Sequence, residues 1–342
     1  MTIDLSAASY DPELAHGARN VVSPCLAVQP HERVVILGDR DRLGIAAAIA
    51  EFVRAVGAPL ETFILEDYTE RPTTTLPAPI AEAFRRSHVS VFACEARPGE
   101  LAMRREMTRI VADRKMRHGH MVGITKRIMK EGMRADFIAI AKLTEWVRER
   151  AAAADEIVCK TPAGTDLRAK FSKDINWIPT PGIITSKKWG NLPGGETFTS
   201  PARVDGIFVV DGVLGDWLAP KYGDIRATPM RIEIENSRIV KTECDHAEAL
   251  ADFNAYTATD ENSNRVGEFA LGTNLAVKEF IGNMLQDEKI PGVHIAFGHP
   301  YSRYTGADWK STTHIDVVGR DFDVWVDGAA IMRRGRYLTN GL

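Results

Sequence analysis

The chain has 342 residues, of which 44% are hydrophobic and 26% charged, with a formal net charge of −3. That length exceeds one ordinary core and predicts two domains, while the composition excludes a disordered or fibrous chain. A near-neutral charge without a basic stripe excludes the electrostatic footprint of a nucleic-acid or membrane-surface binder.

In chain order, the opening MTIDLSAASYDPELAHG has no basic region followed by an apolar stretch, so no signal peptide is expected. No apolar run is long enough to span a bilayer. A helical stretch through Ala15 and Ala18 precedes the strand ERVVILGD. Next comes LGIAAAIAEFVRAVG, with Ile45, Ala48, Ile49, Phe52 and Val53 at helical spacing and Gly57 as C-cap. The runs PLETFILED, HVSVFACEA and HGHMVGIT read as strands. Helices are expected between them, from Pro77 and from Glu100 to about Arg114, and then at about Lys126 to Met133 and Phe137 to Ala153. This alternation predicts a parallel, Rossmann-like doubly wound sheet over residues 1–154. Neither LGDRDRLG nor VGITKR is a dinucleotide or triphosphate fingerprint, so this half reads as scaffold.

From 155 to 342 the pattern becomes α+β with a mainly antiparallel sheet. EIVCKTPAGTDLRAKF reads as a hairpin through Pro162 to Thr165, and RVDGIFVVDGVLG and MRIEIENSRIVKTEC as hairpin-like segments. ALADFNAYTA and VKEFIGNML read as helices, and VHIAFG, THIDVV and DVWVDGAAIM as the last strands. Cys25, Cys94, Cys159 and Cys244 stand far apart without CxxC spacing. A thiolate metal site or disulfide framework is therefore not expected, and a reducing cytoplasm is.

This second half carries charged and imidazole groups inside apolar runs: Glu196 after NLPGG, Glu268 in VGEFALGTN, Glu288 and His294 in DEKIPGVHIAFG, and His314 and Asp316 in THIDVV. Residues two apart in a strand share a face, so His314 and Asp316 stand side by side. An H-x-D pair alone is more often a solvated strand face; its company raises it. Four carboxylates brought together carry −4, which no interior holds unpaired. Two divalent ions would balance them, with His294 and His314 neutral. Such a pair would share a carboxylate and a hydroxide acidic enough to attack at neutral pH. Nitrogen and oxygen ligands suit zinc, manganese or cobalt. Tyr301, seven residues past His294 in a loop after GHP, carries a phenol that could donate to an oxyanion.

These stretches resemble the M29 metallopeptidases, the aminopeptidase T or thermophilic metalloprotease family. NLPGGETFTSP is similar to the first-ligand motif, VGEFALGTN to the second and DEKIPGVHIAFG to the third, while Tyr301 matches the active-site tyrosine. ITKRIMKEGMRADF, in the first half, is also similar to a family segment. The resemblance implies metal ligands at Glu196, Glu268, Glu288, His294, His314 and Asp316. It further implies release of N-terminal amino acids from small peptides within an enclosed cavity, and a homodimer. Two departures stand out: one extra residue between Glu288 and His294, and a short interval from Tyr301 to His314. The leading expectation is an aminopeptidase-like hydrolase, with Tyr301 on the oxyanion and Glu196 or Glu268 shuttling the proton.

Each residue also has a plainer reading. Glu268 could be a helix N-terminal acid, Glu288 a solvated residue of QDEK, His294 a satisfied core histidine, Glu196 an acceptor of turn N–H groups, and Tyr301 an aromatic anchor. His118, His120 and His299 read as structural or loop residues, and Trp189 and Trp309 as packing. Arg303, Lys310 and Arg320 either bind a substrate carboxylate or solvate a loop. The runner-up function is that of related dioxygenases that open dihydroxypyridine rings with one ferrous ion on two histidines and a carboxylate. In that group a histidine stands at the position of Glu268 and an apolar residue at that of Glu196, so the two glutamates favour hydrolysis. A catabolic hydrolase of a small aromatic amide is a further alternative. A non-catalytic binding protein is a third class, and the complete ligand set argues against it.

Overall fold

The structure, a computed structural model, describes Leu5, residues 8–186 and residues 189–339. It divides into two compact units, Met1–Ile138 with Gly182–Gly194, and Ala139–Pro181 with Gly195–Leu342. The sequence predicts a single boundary near Ala154. Here the helix Phe137–Ala153 falls almost wholly in the second unit, and a later segment returns to the first.

The first unit is built on the parallel strands β1 (Val34–Gly38), β2 (Leu60–Ile64), β3 (Val89–Ala93) and β4 (Arg117–His120). The expected helices between them form, at Leu43–Val56, Ala78–Arg86 and Leu101–Arg114. Gly57 closes the first with φ +83, the left-handed cap that glycine adopts without a Cβ penalty. Strands β1 and β3 are buried at every position, which is why they read as unbroken apolar runs. Gly190–Asn191 adds a fifth parallel strand beside β4, giving the order β2–β1–β3–β4 and then this strand. The order reverses at β1 as in flavodoxin-type sheets. It differs from the 3-2-1-4-5-6 order of the Rossmann sheet: the expected parallel sheet with intervening helices forms, and the Rossmann-like detail is not confirmed.

The second unit holds two sheets. One has eight strands and contains the predicted hairpins Glu156–Lys160 with Asp166–Lys170 and Met230–Glu235 with Arg238–Glu243. RVDGIFVV in the same sheet is a single strand, and the next element is a helix, Gly215–Tyr222, rather than a returning strand. The other sheet has five antiparallel strands. Four of them carry the site: β5 (Glu196–Thr199), β6 (Val266–Gly272), β7 (Gly292–Gly298) and β8 (His314–Val318). The expected helix VKEFIGNML is mostly loop, and only Met284–Asp287 is helical. Asp287 is the reason: its buried carboxylate accepts from the backbone N–H of Ile281 and Asn283 at 3.0 Å each, fixing a turn where a helix would have used those donors.

Candidate metal centre

The alternation of β5 to β8 sorts large apolar residues from chemistry. Phe269, Leu271, Val293, Ile295, Phe297, Ile315 and Val317 point one way, into the main core of the unit. The other face carries Glu196, Glu268, His294, His314 and Asp316. The cross-strand register pairs Glu196 with Gly272, Glu268 with Ala296, Ala296 with Asp316, and His314 with Gly298. Opposed residues share a face, so a row Glu268–Ala296–Asp316 crosses three strands. Alanine in the middle leaves space between the two carboxylates.

Two glycines make this arrangement possible. Gly267 is the extra residue of a β-bulge between Val266 and Glu268. The bulge lets Val266 enter the core while Glu268 stays on the other face, and a Cβ at Gly267 would lie 2.2 Å from the Gly298 carbonyl oxygen. Gly195 precedes Glu196 at φ +128, and a Cβ there would meet Asn274 at 2.7 Å.

The converging atoms are close. His294 Nε2 lies 3.6 Å from Glu196 Oε2 and 3.7 Å from Glu268 Oε1. His314 Nε2 lies 3.4 Å from Asp316 Oδ2 and 3.8 Å from Glu268 Oε2. Glu268, His294 and Asp316 each bring a donor atom within 4.8 Å of the others. His314 Nδ1 hydrogen-bonds to the His299 carbonyl at 2.9 Å. A carbonyl only accepts, so Nδ1 carries the proton and Nε2 is turned toward the acids, the orientation a metal-binding imidazole needs. His299 therefore acts through its backbone.

Glu288 comes to the cluster through a residue absent from the sequence-derived set. Lys289 is 1% exposed, and its Nζ donates to Glu196 Oε1 at 2.6 Å and also ion-pairs with Glu288. Thr180 Oγ1 donates to the same Glu196 oxygen at 3.0 Å. In sequence, Lys289 looks like part of a solvated QDEK turn. The extra residue before His294 is the one visible sign of a local difference.

Electrostatics reflect this crowding. Burial opposes charge on every group, yet Lys289 and His294 hold Glu196 below its usual range, and His314 does the same for Asp316. Burial raises Glu268, and raises Glu288 to about 8 against the pull of Lys289. Burial would lower the two imidazoles, but the surrounding carboxylates push His294 up to about 9 and His314 up to about 10.

A divalent ion fits these residues. Glu196 Oε2 and Glu268 Oε2 are buried without a hydrogen-bond partner, a costly state that a bound cation removes. The donor set is nitrogen and oxygen, with no thiolate.

Tyr301 begins a short helical turn at φ +50 and is 37% exposed. Its ring lies 4.8 Å from that of His314, centroid to centroid. Trp189 packs near His118 and His120 in the first unit, and the Arg265 guanidinium stacks on Trp309. Arg320 pairs with Asp224. A cavity of about 610 Å³ lined by residues including Trp217, Lys221 and Tyr256 contains none of the cluster. Among the described residues, no helix is long and apolar enough to cross a membrane.

Two solved structures share the fold over nearly the whole chain. The 2,5-dihydroxypyridine dioxygenase of Pseudomonas putida KT2440 aligns with TM-score 0.70 at 15% identity, covering 96% of this chain and 97% of its own. AmpT of Thermus thermophilus aligns with TM-score 0.69 at 17% identity, covering 96% and 99%. No curated protein matches the sequence. The profile of the thermophilic metalloprotease family (M29) matches residues 138–330, more than half of the chain and every residue of the cluster. The chain belongs to that family of metal-dependent peptidases.

Proposed function

We propose that the chain is an aminopeptidase-like hydrolase acting on the N-terminal amide bond of a small peptide or related amide, with the Glu196–Glu268–His294–His314–Asp316 face as its metal centre. One observation carries the reading: five carboxylate and imidazole side chains from four strands meet on one sheet face, and two of their buried carboxylate oxygens have no hydrogen-bond partner. Glu268, His294 and Asp316 would hold a divalent ion, with His314 Nε2 and Glu196 Oε2 beside them. When bound, zinc, manganese or cobalt supplies Lewis acidity toward a carbonyl oxygen and acidifies water.

The chain's own groups supply the rest. Tyr301, over the His314 ring, is assigned to donate its hydroxyl to the developing oxyanion. Glu196 and Glu268 are the candidates to carry a proton to the leaving amine. Glu196 is held through Oε1 by Lys289 and Thr180, and its Oε2, like Glu268 Oε2, has no hydrogen-bond partner. The two-ion form of the reading would also draw on Glu196 and Glu288, and Lys289 engages both acids. We also infer a cytoplasmic homodimer, from the cysteine usage and the family resemblance, with the parallel-sheet unit as scaffold.

A second reading is a ring-cleaving dioxygenase with one ferrous ion. The grouping Glu268–His294–Asp316 offers the ligands of a single ion, which favours it. Against it stand the acids Glu196 and Glu268, which give a carboxylate-rich set where two histidines and one carboxylate are needed. The test is a screen of the metal-reconstituted protein against aminoacyl amides, dipeptides and dihydroxypyridines. Release of an N-terminal amino acid with zinc, manganese or cobalt is expected; oxygen uptake with ferrous iron and no amide cleavage would replace the first reading by the second.

A further inference from the structure

We propose that the ammonium of Lys289 occupies one of the two cation positions of the cluster, so that the chain binds a single divalent ion, at Glu268, His294 and Asp316. The proposal rests on the metal-dependent reading of the site and specifies how many ions it takes.

The cluster holds four carboxylates, the charge for which the sequence alone suggests two dications. The structure places a fixed cation among them. Lys289 Nζ bridges Glu196 and Glu288, the two acids lying outside the three-donor group. Its side chain is 2% exposed, so the ammonium has exchanged water for carboxylates. The backbone holds it there: Lys289 N donates to the Gln286 carbonyl, and its own carbonyl accepts from Asn274 N, both at 2.9 Å. A second dication would have to bind the same Glu196 and Glu288 oxygens that the ammonium engages, within contact distance of a like charge. The remaining unpartnered oxygens, Glu196 Oε2 and Glu268 Oε2, both lie toward the imidazoles, on the side of the three-donor group. Lys289 thereby also orients Glu196, presenting Oε2 and withholding Oε1.

The test is metal stoichiometry and spin coupling, measured without reference to turnover. The full-length protein is stripped with chelator and titrated with Mn²⁺ and Zn²⁺. Bound metal per chain is read by mass spectrometry after gel filtration, and the Mn²⁺ form by electron paramagnetic resonance. The expected result is one equivalent with the six-line signal of isolated Mn²⁺. Lys289→Met is expected to accept a second equivalent and show an exchange-coupled signal, whereas Lys289→Arg stays at one. Two tight equivalents in the unaltered protein would overturn the proposal without touching the metal reading. So would a folded Lys289→Met that still takes one. The unaltered protein decides the matter even if Lys289→Met does not fold. Retention of no metal, with Glu268→Gln making no difference, would overturn both the proposal and the metal reading.

Discussion

Each unit of this protein buries a cation among acids, and the two clusters end differently. In the first unit the Arg71 side chain is 1% exposed and its guanidinium reaches Asp39 at 2.7 Å, Glu66 at 3.1 Å and Glu100 at 2.6 Å. Asp39, at the end of β1, also accepts from the backbone N–H of Arg42 and Glu95. None of these carboxylate oxygens is buried without a partner. In the second unit Lys289 engages one oxygen of Glu288 and one of Glu196, and two carboxylate oxygens of the cluster, Glu196 Oε2 and Glu268 Oε2, remain unanswered. The planar five-donor fork of arginine can close a network by itself, whereas the compact ammonium of lysine leaves room for another cation. A completed buried network holds a fold together. An incomplete one facing imidazole nitrogens leaves buried oxygens that a cation can satisfy.

The sharpest way to break the comparison is to remove a group from the incomplete cluster. Glu268→Gln is expected to weaken metal binding by more than about 100-fold, because even partners of ligands cost about 10- to 100-fold. Activity should disappear with it while the thermal melt of the metal-free protein stays cooperative. Equal metal affinity in calorimetry would show that Glu268 is not a ligand. The opposite result is expected at Arg71. Arg71→Met strands buried carboxylates and should destabilise the fold by about 3–5 kcal/mol, measured by denaturant unfolding. Metal stoichiometry of the folded fraction should be unchanged, and a loss of metal there would erase the distinction drawn between the clusters.

Tyr301→Phe tests a group at the edge of the incomplete cluster. If its hydroxyl serves the oxyanion, kcat falls by about 10²–10³ with KM and metal affinity little altered. A change confined to KM would make it a binding residue.

The smallest expected effect concerns acid stability of the first unit. His118 is fully buried, hydrogen-bonded to Ser90 at 2.8 Å and to His120 at 3.1 Å, and burial pushes its pKa down to about 3. An unfolded histidine titrates near 6.5, so below that pH the unfolded chain binds a proton the folded one refuses. Stability is therefore lost as pH falls from about 6.5 toward 3, by about 1.4 kcal/mol per pH unit for this residue. His118→Asn is expected to lose less stability than the unaltered protein between pH 7 and pH 5; equal losses would count against a buried neutral imidazole.

Much of the site is legible in sequence because its chemistry is local in kind. Glutamate and histidine inside apolar runs such as VGEFALG and VHIAFG are costly to bury without a partner, and strand alternation puts His314 and Asp316 on one face. The alternating apolar residues likewise mark the strands, and glycine marks the cap at Gly57. The helix Gly215–Tyr222 is hidden in sequence because Pro220 stands within it. The loop before Met284 reads as a helix because nothing local reveals where the Asp287 carboxylate points.

By itself, then, the amino-acid order determined which residue types were available to bind a cation and which runs would be strand, since burial and period-two alternation act within a few neighbours. Tertiary structure alone decided the strand order of both units, the bulge at Gly267 that keeps Glu268 facing His294, and the insertion of Lys289 between two acids. These depend on cross-strand register and on charges as distant in the chain as Glu196 and Lys289, 93 positions apart, and they arise only when burial forces each of those groups to find a partner.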